Sequence, residues 1–176
     1  MARMARKLAA PPGGECCYDL FPAWGEWMSV VADRGCLVSI MLPGSRERAQ
    51  AEAGQARWAP DLPLLARARA QLLGFLAGHR RDLDLPWRLE GVSAFRQAVL
   101  EATARIPYGQ VRTYGQVAAA IGRPAAARAA GQALHHNPLP LLIPCHRVVG
   151  AGGGLVGFGS GVEMKQRLLA LEAGRG

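Results

Sequence analysis

Residues 113–149, TYGQVAAAIGRPAAARAAGQALHHNPLPLLIPCHRVV, read as two short helices, a break, and an apolar run that ends in a cysteine-histidine pair. Thr113 followed three residues later by Gln116 matches a capping box, in which each residue satisfies a free backbone N–H of the other. That predicts a helix from Tyr114 to Ile121, ended by Gly122. Arg123 and Pro124 open a second helix, with proline in the first turn, where its missing N–H is no loss. Asn137-Pro138 breaks it. Upstream, Phe95, Ala98, Val99, Ala102 and Ile106 form one apolar face of a helix that stops at Pro107-Tyr108-Gly109. Two short helices across a glycine-containing turn, preceded by a longer one, are the parts of a helix-turn-helix, although a helical hairpin in a core has the same pattern. The second helix tilts the reading toward a groove binder, because the positions expected to be exposed are Ala, Gly and one Arg.

Before this stretch the signals change period. EWMSVVA and CLVSIML, between Glu26 and Leu42, are two apolar runs joined by Asp33-Arg34-Gly35, which predicts a hairpin. After Pro43-Gly44 comes a charged, Ala-rich loop. Leu64, Leu65, Ala68, Leu72, Phe75 and Leu76 then recur at helical spacing up to Gly78. Arg80 to Gly91, with three acidic residues and Pro86, reads as a linker. The expected fold class is α+β: a small N-terminal α/β roll-like domain over 18–85, a linker at 86–92, and a helical, winged-helix-like domain over 93–176. Residues 1–17 are expected to be a mobile tail.

The chain of 176 residues carries a formal charge of +8, is 50% hydrophobic and 19% charged, and scatters 22 Gly and 12 Pro without period. That excludes a disordered chain, a collagen and a long coiled coil. No apolar stretch approaches the roughly 20 residues of a membrane span and the basic opening lacks the apolar core of a secretory signal, so a soluble, cytoplasmic protein is expected. Four cysteines without a C-x-x-C pair fit reduced thiols. Between Glu101 and Glu163 there is no acidic residue, while Arg105, Arg112, Arg123, Arg128 and Arg147 fall there with three of the four histidines. A polyanion can lie along such a segment, although Arg enrichment alone produces the same count.

Cys145 and His146 carry the candidate chemistry. A nucleophilic sulfur must be thiolate, so an ordinary thiol needs a base or a positive field beside it. His146, directly or through one water, is the candidate base, and Arg147 adds positive field. Buried cysteines are usually inert, and neighbours in a strand point to opposite faces, so a direct Cys145–His146 contact requires an irregular backbone.

PCHRV, with Asn137-Pro138 and IPYGQVRTYGQVA before it and GFGSGVEMKQRLLALE after it, resembles the O6-alkylguanine-DNA alkyltransferase family, the methylated-DNA–protein-cysteine methyltransferases. The likeness covers roughly Phe95 to Glu172. The first half matches only in size and in its hairpin-then-helix order. The resemblance implies that Cys145 accepts the alkyl group, that His146 deprotonates it through water, and that Glu172 orients and charges the imidazole. It implies that Asn137 is a hinge, that Arg128 enters the base stack in place of the flipped guanine, and that Tyr114 crowds the 3′ phosphate and gives a proton to guanine N3. Gly115, Arg123, Ala127 and Gly131 fall at DNA-contacting positions. Small side chains at Ala126, Ala127, Ala130 and Gly131 suit a recognition helix in a minor groove about 6 Å wide.

Phe158 stands where the family frequently has tyrosine, and Ser160 lies one position after the serine that some relatives use to bind substrate. Cys16, Cys17, Cys36 and His79 do not reproduce a zinc-ligand spacing, so no metal is expected, and no cofactor is implied. The implied partner is double-stranded DNA carrying O6-alkylguanine, with no membrane and no obligate protein partner. The implied activity is irreversible, one-for-one alkyl transfer from guanine O6, and less so from thymine O4, to Cys145. The alternatives are a lesion-binding relative without an acceptor cysteine, a winged-helix regulator, and a thiol hydrolase.

Overall fold

Alternation and turn chemistry build the first half. Strands β2 (Glu26–Asp33) and β3 (Cys36–Gly44) form the expected hairpin, closed by Arg34 and Gly35, both at positive φ (46° and 76°), the backbone of a type I′ turn. The computed structural model describes residues 16–155 and 157–174. The chain divides into two compact units, Met1–Glu90 and Gly91–Gly176. Residues 1–15 of the tail expected over 1–17 lie outside the described residues.

In the first unit a third antiparallel strand, β1 (Cys17–Ala23), pairs with β2, and the short β4 (Arg57–Trp58) adds in parallel, giving the order β3-β2-β1-β4. Cys17, Asp19, Phe21 and Ala23 are buried in strict alternation. Helix α1 (Arg46–Ala53) occupies the segment expected to be a charged loop. Ser45 caps it, accepting from the Arg48 N–H, and it buries only Ala49 and Ala53. A helix that buries two alanines leaves almost no apolar period to read. Helix α2 (Pro63–Leu76) buries Leu64, Leu65, Ala68, Leu72 and Phe75, the face expected of it. The segment read as a linker is pinned to β3: the Leu37 N–H donates to the Pro86 carbonyl (2.8 Å), and the Arg88 N–H donates to the Leu37 carbonyl (3.1 Å).

The second unit contains α3 (Ala94–Ala104), β5 (Arg112–Thr113), α4 (Tyr114–Ala120), a 3₁₀ turn (Pro124–Ala126), α5 (Ala127–His135), a 3₁₀ turn (Cys145–Arg147), β6 (Val148–Val149) and α6 (Val162–Glu172). Together with the first unit this is an α+β fold. β5 and β6 pair in parallel, Arg112 opposite Val148 and Thr113 opposite Val149. The capping box is complete: the Gln116 N–H donates to Thr113 Oγ1 (3.1 Å) and the Thr113 N–H to Gln116 Oε1 (2.7 Å). Gly122, at φ 72°, turns the chain between α4 and α5. Among the described residues no helix is long and apolar enough to cross a membrane. Thr113→Ala is expected to cost about 1 kcal/mol through the lost cap, measured by urea unfolding.

Candidate active site

The apolar run before Cys145 becomes a buried turn held from within. Asn137 sits just beyond α5 and acts at three points: its Oδ1 accepts the Leu139 N–H (3.0 Å), and its Nδ2 donates to the Ile143 carbonyl (2.8 Å) and to Cys145 Sγ (3.1 Å). The Ile143 N–H closes the turn onto the Leu139 carbonyl at 2.8 Å. Inside it Leu141 adopts φ 72°, a left-handed conformation that costs a non-glycine residue on the order of 1 kcal/mol and persists because both ends are tied.

Cys145, His146 and Arg147 then form a 3₁₀ turn instead of a strand, an irregular backbone at the cysteine-histidine pair. With three residues per turn, successive side chains do not alternate between two faces. All three are buried, at 7%, 0% and 6% exposure. His146 Nε2 lies 2.7 Å from Glu172 Oε1, at the end of α6. Arg147 donates to the same carboxylate through Nε (3.0 Å to each oxygen) and Nη2 (2.8 Å), and through Nη1 to the Ile106 carbonyl (2.6 Å). The Gly109 N–H supplies another donor to Glu172, at 2.9 Å. Arg147 was expected to lend positive field to the thiol. It is instead committed to Glu172, because a buried carboxylate with only an imidazole beside it would remain undercompensated.

The electrostatics follow from burial and partners. Burial by itself raises the Glu172 carboxyl, but the hydrogen bonds from His146, Arg147 and Gly109 outweigh it and hold the group down at about 2. Burial pushes the His146 imidazole below its ordinary range, against the pull of Glu172, so the ring is neutral at pH 7. With Nε2–H donating to a carboxylate, Nδ1 carries the lone pair, and that buried atom has no hydrogen-bond partner among the described residues. Burial pushes the Cys145 thiol up, while the Asn137 hydrogen bond and the Lys165 charge pull it down. Burial likewise raises the Tyr114 phenol, with Cys145 adding to the shift, which keeps its proton in place at neutral pH.

A cleft of about 250 Å³ is lined by Tyr114, Ala127, Arg128, Gly131, Gln132, His135 and Gly157. It gathers four of the residues singled out in the sequence. The Tyr114 ring lies beside Gly131, where an added Cβ would meet it at an ordinary van der Waals contact of 3.6 Å. Gly115, half-buried in α4, and Arg123, exposed before the 3₁₀ turn, do not line the cleft. Ala130 does not belong to the small-residue face ascribed to it, because it is fully buried and packs inward. The exposed face of α5 also carries Gln132 and His135. Among the described residues no three His, Cys, Asp or Glu side chains are grouped as metal ligands, and Cys16, Cys17, Cys36 and Cys145 are not joined in disulfides.

This arrangement has close counterparts. The family profile described as "6-O-methylguanine DNA methyltransferase, DNA binding domain" matches residues 94–174. The methylated-DNA–protein-cysteine methyltransferase of Mycobacterium tuberculosis is 44% identical over 124 residues, 70% of this chain and 74% of that protein. The chain belongs to the methylated-DNA–protein-cysteine methyltransferase family. The constitutive methylated-DNA–protein-cysteine methyltransferase of Bacillus subtilis is 46% identical over 113 residues, 64% of this chain and 68% of its own. The likeness extends to three dimensions. The crystal structure of M. tuberculosis OGT in complex with DNA superposes with a TM-score of 0.78 at 34% identity, covering 90% of this chain and 94% of that one. The O6-methylguanine-DNA methyltransferase of Pyrococcus kodakaraensis gives 0.67 at 27% identity, covering 89% and 98%.

Lys165 is the residue that sequence reading passed over. It is fully buried in α6, donates from Nζ to the Val148 carbonyl at 2.5 Å, and lies 5.7 Å from the Tyr114 ring and 5.9 Å from that of Phe158. Burial lowers its ammonium pKa, and Cys145 opposes that shift. The signal was a stripe at helical spacing, Lys165, Leu168 and Glu172, all buried, which puts lysine and glutamate on one inward face of α6.

Proposed function

We propose that this protein repairs DNA directly, by transferring the alkyl group of O6-alkylguanine, and less readily of O4-alkylthymine, to Cys145 in an irreversible reaction that each molecule performs once. The observation that carries the reading is the 3₁₀ turn holding Cys145 beside His146, whose Nε2 is taken by Glu172 at 2.7 Å and whose Nδ1 is left to accept a proton. The thiol proton passes to His146, directly or through one water. Sγ attacks the alkyl carbon, the S–C bond forms as the C–O6 bond breaks, and the departing guanine takes a proton from the Tyr114 hydroxyl. Tyr114 then recovers its proton from the His146 imidazolium through solvent. Lys165 and Asn137 stabilise the sulfur's negative charge as it develops. The thioether has no good leaving group, so the protein is consumed.

DNA is the proposed partner, in duplex form, because a lesion inside the stack hides O6 and must be extruded at a cost of a few kcal/mol. α4 and α5 act as the helix-turn-helix, with Ala127 and Gly131 allowing close approach and Gly115 and Arg123 contacting the backbone. Arg128, exposed and without an ion pair among the described residues, fills the gap left by the flipped base. No cofactor or protein partner takes part, and the compartment is the cytoplasm. Retention of Cys145 disfavours a lesion-binding protein that flags damage without repairing it.

Intact-mass measurement after incubation with O6-methylguanine duplex tests the reading: a gain of one methylene per protein is expected, and lesions removed in several-fold excess over unmodified protein would overturn it. Arg128→Ala should slow repair in duplex more than in single strands, where no stack needs filling, measured as single-turnover rates on both. Equal losses would remove that role.

A further inference from the structure

The peptide that joins α5 to the buried turn before Cys145 is held on both of its sides. Its N–H, that of Asn137, donates to the Leu134 carbonyl at 3.2 Å, and its oxygen, that of His136, accepts from Nη2 of Arg96. A peptide unit is planar, so tying the hydrogen at one edge and the oxygen at the other sets the plane from which the Asn137 side chain projects. That side chain then reaches the Leu139 N–H, the Ile143 carbonyl and Cys145 Sγ. An error in the plane is passed on to the sulfur.

Arg96 belongs to another element. It stands in the first turn of α3, 40 positions before His136, and its own backbone N–H is taken by the Ser93 cap at 3.3 Å. Its guanidinium ends on the C-terminus of α5, where the last carbonyls lack partners within the helix and the helix dipole favours a cation. Among the described residues no carboxylate draws it there. Its Nε is buried and has no acceptor among the described residues, and a covered N–H left unpaired subtracts from stability. Stability alone therefore does not account for the contact, and what the contact holds is the oxygen beside the hinge.

We propose that Arg96 is a positioning residue for alkyl transfer: by holding the His136 carbonyl it fixes the Asn137 peptide, and through the Asn137 side chain it fixes the place of the Cys145 sulfur. Arg96 does not line the cleft and acts on the reaction through Asn137. The inference rests on Cys145 being the alkyl acceptor.

The test is Arg96→Met in the full chain, which keeps an unbranched stem and removes every donor. Single-turnover methyl transfer from O6-methylguanine duplex, with protein in excess, separates the maximal rate from the Kd for DNA, and methyl incorporation counts the active molecules. The maximal rate per active molecule should fall about tenfold, because a slightly misplaced sulfur is poorly aligned for attack, while Kd stays within about twofold. Arg96→Lys restores a charged donor and should bring the rate back to within about threefold of wild type. An arginine that only stabilises the fold would lower Tm and the active fraction and leave the rate per active molecule unchanged. An arginine bound to a DNA phosphate would instead weaken Kd and reduce its salt slope by about one, at an unchanged maximal rate. Either result, or a lysine variant as slow as the methionine one, would overturn the proposal. Rates are taken at low temperature to keep a destabilised variant folded; should the methionine variant still not fold, Arg96→Gln, too short to reach the carbonyl, is held to the same outcomes. Wild-type protein that transfers no methyl at all would overturn the underlying reading, and the two failures are therefore distinct.

Discussion

Cys145→Ala abolishes methyl transfer while duplex binding persists, if the thiol serves chemistry and not anchorage. The side chain is 7% exposed, is touched by Asn137 and does not line the cleft, so its removal deletes the thiol without altering the exposed face of α5. The product is equally specific. Trypsin releases Ala129 to Arg147 as one peptide, because no Lys or Arg interrupts it, and Cys145 is its only cysteine. After reaction of the wild type that peptide should be heavier by one methylene, in proportion to lesions removed and up to one per protein. In the variant the lesion should remain in the DNA. Methyl found on Cys16, Cys17 or Cys36 would place the acceptor elsewhere.

Glu172→Gln should have the largest effect on stability. It strips the negative charge that compensates Arg147 and orients His146, both buried, and loss of one partner from a buried ion pair costs about 3–5 kcal/mol. Transfer should slow by roughly 10²-fold or more, because the base loses its orientation and its stabilising charge. The pH dependence carries a sign that separates this account from a simple packing defect. The Glu172 carboxyl is held at about 2 in the folded chain, against 4.5 ordinarily. Its contribution is therefore fully present above about pH 4.5, declines as the pH falls, and is gone near pH 2. Urea unfolding of wild type and variant should show a gap that is constant from pH 7 to pH 5 and closes below it. A gap that persists unchanged at pH 2.5 would assign the loss to packing.

Where local chemistry dominates, the order of residues was enough. The Thr113-Gln116 box, the Arg34-Gly35 turn and the apolar face of α2 each act over four to fourteen residues, and the structure contains all three. Segments whose partners are distant were not readable. β1 alternates correctly but announces itself only beside β2, and α1 lacks an apolar stripe because two alanines suffice to seat it. The segment after Arg80 looked like a linker because nothing in its own composition reveals that Leu37 of β3 and Gln71 of α2 hold it by hydrogen bonds.

The site divides in the same way. Cys145 beside His146 was legible from its chemistry as a thiol next to a base, whereas Asn137, Tyr114 and Glu172 were singled out only through the resemblance that the order of motifs along the chain carries. Which of them share a proton network was decided by tertiary structure. Glu172 meets His146 across 26 positions and Gly109 across 63, and it must satisfy Arg147 as well, so the guanidinium expected to charge the sulfur serves the carboxylate instead. Lys165 reaches the sulfur's surroundings only because α6 packs one stripe inward. Sequence by itself determined the chemical groups and the local turns, whose energies depend on neighbours a few residues away. Only the fold decided burial and pairing, because desolvation and Coulomb terms depend on distances through space that no spacing along the chain specifies.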